Sequence, residues 1–442
     1  MDLSRVRKSQ FTLNPVNQVS TGRFSSKSGI PLIKFDISSS DAPMYLKGED
    51  IRINGRIHGE TGAGADIAST NLNFVDNFAG RFANCIDTVT IYSKRLNQVI
   101  ERVTNYSRIV PSIMSGLHGE KDLNTKFSHE GDHYSSTYLG RHGLCGSNAG
   151  KVGKSFSVPL YCGCLQTGTD IDLSVAGLGG LVIEILLKPD VNVVFGAQAN
   201  TDSSSYFLNS LTLTGCLYHM PKESAPAQQN LSFNSLSSVF QTINSSASVV
   251  ALTPGLKQVS AIFMNFMNTS QIGDQRFNSC RLGNIGQVHE LRFSVNGSLY
   301  PLSYRLQTNE EDNANLSAVH TYSDRTMIDR QYLEAVNINR YSETGNTSIA
   351  YNNWNSGKVD RTQTQGAGGD TQTTAEGFGI LYDAFGTGED LSNRVFSFEL
   401  NVSGNAANQS LDGSAATSQG CTIVFLNKNN IIMSANGIEL VR

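Results

Sequence analysis

Residues 181–195 read Leu-Val-Ile-Glu-Ile-Leu-Leu-Lys-Pro-Asp-Val-Asn-Val-Val-Phe. Residues 421–441 read Cys-Thr-Ile-Val-Phe-Leu-Asn-Lys-Asn-Asn-Ile-Ile-Met-Ser-Ala-Asn-Gly-Ile-Glu-Leu-Val. The first stretch is an apolar strand, a Lys-Pro-Asp turn and a second apolar strand. The second is a strand, a polar turn and strand again. Short apolar runs bounded by turn residues read as strands. Each pair closes roughly one half of the chain. This predicts two β-domains of similar size, built alike and fused.

Size and composition agree. A chain of 442 residues is too long for one ordinary core and suits two domains of about 200 residues each. Apolar residues make up 39% and charged residues 16%, both below the usual globular shares. Forty-one glycines, with many Ser, Asn and Thr, favour turns and strands over helices. The net charge of −4 creates no strong field of one sign, so bulk nucleic-acid binding is not implied. Seven scattered cysteines read as free buried thiols in a reducing compartment, not as a disulfide framework. The opening residues lack the apolar core of a signal peptide, and no run of 18 apolar residues provides a transmembrane helix. The Asn-x-Ser triplets at Asn105, Asn244, Asn296, Asn346 and Asn401 read as compositional.

The expected organisation is all-β: two tandem eight-stranded sandwiches, each a double Greek key, with long loops and few short helices. Residues 1–29 form a polar arm with Arg5, Arg7, Lys8, Arg23 and Lys27 against one acid, Asp2. Residues 30–219 form the first sandwich and 230–442 the second. The segment 220–229, with two prolines and one large apolar residue, is the linker. Helices are expected at 97–115, where Val99, Ile100, Val103 and Tyr106 have helical spacing, and at 326–336. Asn296-Gly297 predicts a tight hairpin turn. Residues 116–155 and 339–376 read as long polar loops, with 366–376 the segment expected to face outward.

The sharpest chemical motif is His129-Glu130-Gly131-Asp132-His133. It matches H-E-x-x-H, in which a helix sets two histidines around zinc with Glu130 as base. Gly131 and Asp132 are poor helix residues, and the flanks carry no amphipathic pattern. A polar loop is the better reading, and no catalytic, cofactor or metal residues are assigned. Cys162 and Cys164 would share one face of a strand, but no second cysteine pair completes a four-ligand set. The clusters Glu310-Glu311-Asp312 and Glu389-Asp390 lack calcium-loop spacing and read as solvated turns. Trp354, the one tryptophan, lies in a polar loop with Tyr351 as its near aromatic neighbour.

Several segments are familiar in their order and spacing. They are Gly-Gly-Leu-Val-Ile-Glu-Ile-Leu-Leu-Lys-Pro at 179–189, Val295-Asn296-Gly297 through Tyr300-Pro301-Leu302 with Tyr304, the run 330–335, and 379–400 leading into the C-terminal strands. Over most of residues 30–442 the layout resembles the double jelly-roll major capsid proteins of icosahedral double-stranded DNA viruses, those of polinton-like viruses and virophages in particular. The resemblance implies a non-enzymatic structural protein of the virion. It implies homotrimers forming pseudo-hexameric capsomers, with neighbouring capsomers, penton and other minor capsid proteins as partners. It also implies inner-surface contacts of Arg5, Arg7 and Lys8 with an internal membrane or the genome. Two rival readings remain: a β-sandwich carbohydrate-binding or spike-like adhesin using Trp354, and a zinc hydrolase using His129, Glu130 and His133.

Overall fold

The computed structural model describes residues 7–38 except 21 and 28, 44–60, 73–74, 81–109, 154–190, 194–195, 205–219, 228–243, 247–268, 288–299, 306–307, 359–363, 370–374, 378–381, 388–402 and 419–440. Among the described residues, eleven strands precede residue 220: β1 (Arg7–Leu13), β2 (Leu32–Ser38), β3 (Met44–Glu60), β4 (Asn73–Phe74), β5 (Ile86–Ser93), β6 (Val99–Val103), β7 (Lys154–Pro159), β8 (Ile171–Asp172), β9 (Gly180–Leu187), β10 (Val194–Phe195) and β11 (Ser205–His219). Twelve follow: β12 (Gln228–Ile243), β13 (Ala247–Leu252), β14 (Val259–Asn268), β15 (Val288–Val295), β16 (Ser298–Leu299), β17 (Leu306–Gln307), β18 (Val359–Gln363), β19 (Asp370–Thr374), β20 (Phe378–Leu381), β21 (Phe396–Val402), β22 (Gln419–Ser434) and β23 (Gly437–Leu440). Among the described residues, a short helix, α1 (Arg81–Cys85), leads into β5.

The strand order is the same in both halves. In the first, β1-β11-β3-β7 form one sheet, with β8 also on β3, and β2-β9-β5-β6 form the other. In the second, β12-β22-β14-β20 form one sheet, with β23 on β22, and β13-β21-β15-β16 form the other, with β17 on β15. With the two-residue strands β4, β8 and β10 set aside, the first half runs 1-8-3-6 and 2-7-4-5. The second repeats this when β16 and β17 are taken as its fifth strand and β18, β19 and β23 are set aside. Long-range antiparallel pairing of that kind is a double Greek key.

Alternation places the core. In β2, Ile33, Phe35 and Ile37 are buried while Lys34 and Asp36 face outward, the period-two pattern of a half-buried sheet. The central strands of the second half differ, because both of their faces are covered. Cys421, Ile423 and Phe425 of β22 join Ile262, Met264, Phe293, Phe396 and Phe398 in the second sandwich's own core. Val424 and Leu426 point the other way, with Ala261 and Phe263, and belong to the cluster that fills the first sandwich. The largely apolar runs at 259–264 and 421–426 are thus strands buried twice.

Several expectations are corrected. The stretch 181–195 is not a hairpin. β9 is a central strand between β2 and β5, whereas β10 pairs with β4. Pro189, which has no N–H to donate, follows the last ladder residues. The Asn-Lys-Asn-Asn segment is not a turn, since β22 runs through it in continuous register with β12. Its side chains are satisfied within the sheet: Ser237 Oγ donates to Asn427 Oδ1 at 3.0 Å and Asn427 Nδ2 to Asn429 Oδ1 at 2.9 Å. Tertiary pairing overrides local turn preference there. The turn comes later, between β22 and β23.

The helix expected at 97–115 holds strand β6 at Val99–Val103, where β-branched Val99 and Val103 pair with β5. Among the described residues of this stretch, helical backbone spans 106–109, after Asn105 at φ 53°, and 110–115 lie outside them. The expected arm carries strand β1 at Arg7–Leu13, and β12 begins at Gln228, inside the expected linker. The turn at Asn296-Gly297 (φ 49° and 82°) joins β15 to β16 as expected. The segments 116–153 and 326–336 lie outside the described residues, while the loop at 339–376 contains the hairpin β18–β19.

Candidate assembly interface

The two sandwiches meet along a seam built from β6 and residues 162–178 of the first half against β12, β22 and β23 of the second. Two glycines set its closeness. A Cβ on Gly163 would lie 1.8 Å from the Asn234 carbonyl oxygen, and one on Gly177 would lie 1.9 Å from that of Ser434. Only glycine lets the backbones approach so far.

Polar clamps fix the register. Glu101, on β6 and 4% exposed, is held from both sides. Its Oε1 accepts from Gly163 N–H at 3.0 Å and from Ser235 Oγ of β12 at 2.7 Å, and its Oε2 accepts from Cys164 N–H at 2.8 Å. Burial pushes this carboxyl above its ordinary value, while the hydrogen bonds pull it back. A second clamp is Gln229, whose Oε1 accepts from Asp172 N–H at 2.8 Å and whose Nε2 donates to the Asp170 carbonyl at 2.7 Å. Ser238 Oγ donates to the Thr104 carbonyl at 3.1 Å and accepts from Asn105 Nδ2 at 3.0 Å. Gln98 Oε1 accepts from Ile438 N–H at 2.7 Å. Buried polar groups are stabilising only when paired, and this set pairs them across the two halves. The seam is therefore specific in register as well as apolar.

Cys162 and Cys164 lie at this seam, but not on a strand. Cys162 caps the 3-10 turn Gly163–Leu165, and both thiols are buried. Burial, reinforced by nearby Glu101, pushes both well above the ordinary thiol range. They are neutral packing groups, not thiolates. Among the described residues, no three His, Cys, Asp or Glu side chains gather as metal ligands.

No family model matches the chain, and no curated protein matches it in sequence. Solved structures match in shape. A chain of the PBCV-1 virus capsid aligns with TM-score 0.58 at 10% identity, covering 99% of this chain and 97% of its own. A chain of the Sputnik virophage aligns with TM-score 0.57 at 11% identity, covering 99% and 88%. The mavirus major capsid protein aligns with TM-score 0.50 at 9% identity, covering 98% and 90%. The fold is a double jelly roll.

Around the double jelly roll, the residues singled out in the sequence fall in different places. Of the three candidate inner-surface cations, Arg5 lies outside the described residues. Arg7 opens β1 and is exposed, and Lys8 Nζ sits 5.9 Å from the centre of the Tyr218 ring on the neighbouring strand. His129, Glu130 and His133 lie outside the described residues, as do Trp354 and the 310–312 acidic run. Glu389-Asp390 is not a solvated turn throughout: half-buried Glu389 bridges Val259 through backbone hydrogen bonds at 2.9 Å and pairs with Arg394, while exposed Asp390 Oδ1 accepts from Ser392 N–H and Oγ. The seam residues Glu101, Gly163 and Gly177 gave no signal in the sequence. A lone glutamate amid Val-Ile-Glu-Arg-Val was the one available hint. No helix among the described residues is long and apolar enough to cross a membrane.

Proposed function

We propose that this chain is the major structural protein of an icosahedral virion shell, three copies forming a six-sided capsomer. One observation carries the reading: two jelly rolls with the same strand order are joined through a buried, polar-clamped seam. A joined pair of like units is one third of a six-sided tile, and threefold symmetry supplies the rest. Weak contacts repeated around such a tile add through multivalency, so a shell needs no single strong interface. The shape matches with the PBCV-1 capsid, Sputnik and mavirus chains, which span nearly the whole chain, support the same reading. Neighbouring capsomers and minor shell proteins are the expected partners, and exposed Arg7 is a candidate contact with the shell's contents. Electron microscopy of purified protein tests the proposal. Six-lobed particles or closed shells support it, and compact two-lobed particles at high concentration overturn it.

A further inference from the structure

The second roll breaks the duplication at one place. In the first roll β3 runs beside β11 along its whole length, from Ser205 to His219. In the second, β12 pairs with β22 from end to end, but the other edge of β22 is shared by two shorter strands. β14 stops at Asn427 and β23 takes over at Ile431. Among the described residues, no strand covers that edge at 428–430. One backbone bond reaches it, from Lys428 N–H to the Gln258 carbonyl at 3.1 Å. The gap thus coincides with Asn-Lys-Asn-Asn, the segment that keeps its turn chemistry within a strand. Asparagine is depleted in strands, so pairing alone does not account for it. The gap holds a cavity of about 350 Å³, at the small end of ligand-sized pockets. Its walls are fixed. Leu391 N–H donates to the Leu256 carbonyl, and Val259 and Glu389 exchange backbone bonds, all at 2.9 Å. Asn430 Nδ2 donates to Gln258 Oε1 at 3.3 Å. Gln258 itself sits at φ 51°, an uncommon conformation for a residue with a side chain. Gly388 packs against it so closely that a Cβ there would lie 2.6 Å from the Gln258 backbone. Strain held in place by its surroundings is a feature of ligand clamps.

The lining is rich in donors. Lys257 and Lys428 are exposed on it. Gln258, Asn393 and Asn429 add amides, which donate and accept as sugar hydroxyls do. No carboxylate and no aromatic ring lines the cavity. Asp390 adjoins the lining residue Ser392, but its Oδ1 is engaged by the Ser392 N–H and Oγ at 2.9 and 2.6 Å. Leu440, 52% exposed, supplies an apolar wall. We infer that this notch binds one acidic sugar unit, with its carboxylate or sulfate at Lys257 and Lys428, its hydroxyls at the amides and its C–H face on Leu440. A nucleic-acid strand fits less well, because two cations do not track a phosphate backbone and no ring is offered to a base. The inference is independent of the shell reading, since it uses a gap that the first roll lacks.

Saturation-transfer NMR with isothermal titration of the full native chain tests it. Glucuronic acid and sulfated glucose are the probes, and glucose and inorganic phosphate are the controls. At least one acidic sugar is expected to bind a single site per chain, about tenfold more tightly than either control. Lys257→Met and Lys428→Met together, both at exposed positions, are expected to weaken that binding by about tenfold through lost charge-assisted bonds. The melting temperature should not change. Asn393→Ala, a second variant at an exposed position, is expected to weaken it by about fivefold, the effect of one neutral hydrogen bond. Phosphate binding as tightly as the sugars would reveal an anion site only and overturn the sugar assignment. Failure of both acidic sugars to bind, or binding that neither variant weakens, would overturn the site itself.

Discussion

Gly163→Ala is the smallest change that challenges the seam. The added methyl would sit 1.8 Å from the Asn234 oxygen, 2.7 Å from its carbonyl carbon and 3.1 Å from Phe233 Cδ2. Ordinary contact begins near 3.4 Å, so one backbone must retreat by roughly 1.5 Å, and overpacking of that kind costs about 1–3 kcal/mol. The same retreat stretches the 3.0 Å and 2.7 Å hydrogen bonds that bring Gly163 and Ser235 to Glu101. Bonds to a charged group contribute about 1.5–3 kcal/mol each when intact. Because both effects arise from one displacement, they overlap, and a total near 3–5 kcal/mol is expected. With an unfolding entropy of about 2.1 cal/mol/K per residue, a chain of this length loses about 1 °C per kcal/mol if both rolls melt together. Differential scanning calorimetry at fixed scan rate should show a fall of about 3–5 °C. The control is Gly255→Ala, whose methyl meets nothing within 4 Å and which carries only the cost of its positive φ, about 1 kcal/mol. If Gly163→Ala melts no lower than the control, β12 does not lie against the 3-10 turn and the seam is misplaced.

Glu101 makes stability depend on pH in a defined direction. Its carboxyl is raised in the folded state, so its contribution is fully present below the unfolded value of 4.5 and is lost as pH rises through the folded one. Glu101→Gln should therefore gain melting temperature relative to the native chain between pH 4.5 and neutrality, and a constant difference would contradict the assignment. Lys34 pairs with Glu184 at 3.1 Å while both remain partly exposed. Lys34→Ala should cost under about 1 kcal/mol by urea titration, and less still in high salt. Cys162, Cys164 and Cys421 are buried, and burial pushes all three thiols up. Mass-mapped maleimide labelling should spare them in the native protein and modify them after denaturation.

The duplication was legible in the sequence, but its register was not. Residues 181–187 and 421–426 were both readable as strand, yet they are not equivalent: the first belongs to the seventh strand of its roll and the second to the eighth. Local signals cannot separate such strands, because Greek-key partners lie far apart in sequence. Lys-Pro-Asp and Asn-Lys-Asn-Asn both carry turn chemistry, and only the partner strand shows that the second stays extended. β15 was readable to the residue because alternation and the Asn-Gly turn agree there. The seam left almost no trace, since a buried glutamate and two close-packed glycines look ordinary until the opposite surface is known. The polar, basic opening residues concealed β1 because an edge strand exposed on one side need not be apolar.

Light scattering coupled to size-exclusion chromatography tests the central claim most directly. The account predicts a species of three times the 47.8 kDa chain mass, persisting on dilution from the highest accessible concentration. A single species at 47.8 kDa over that whole range would contradict it.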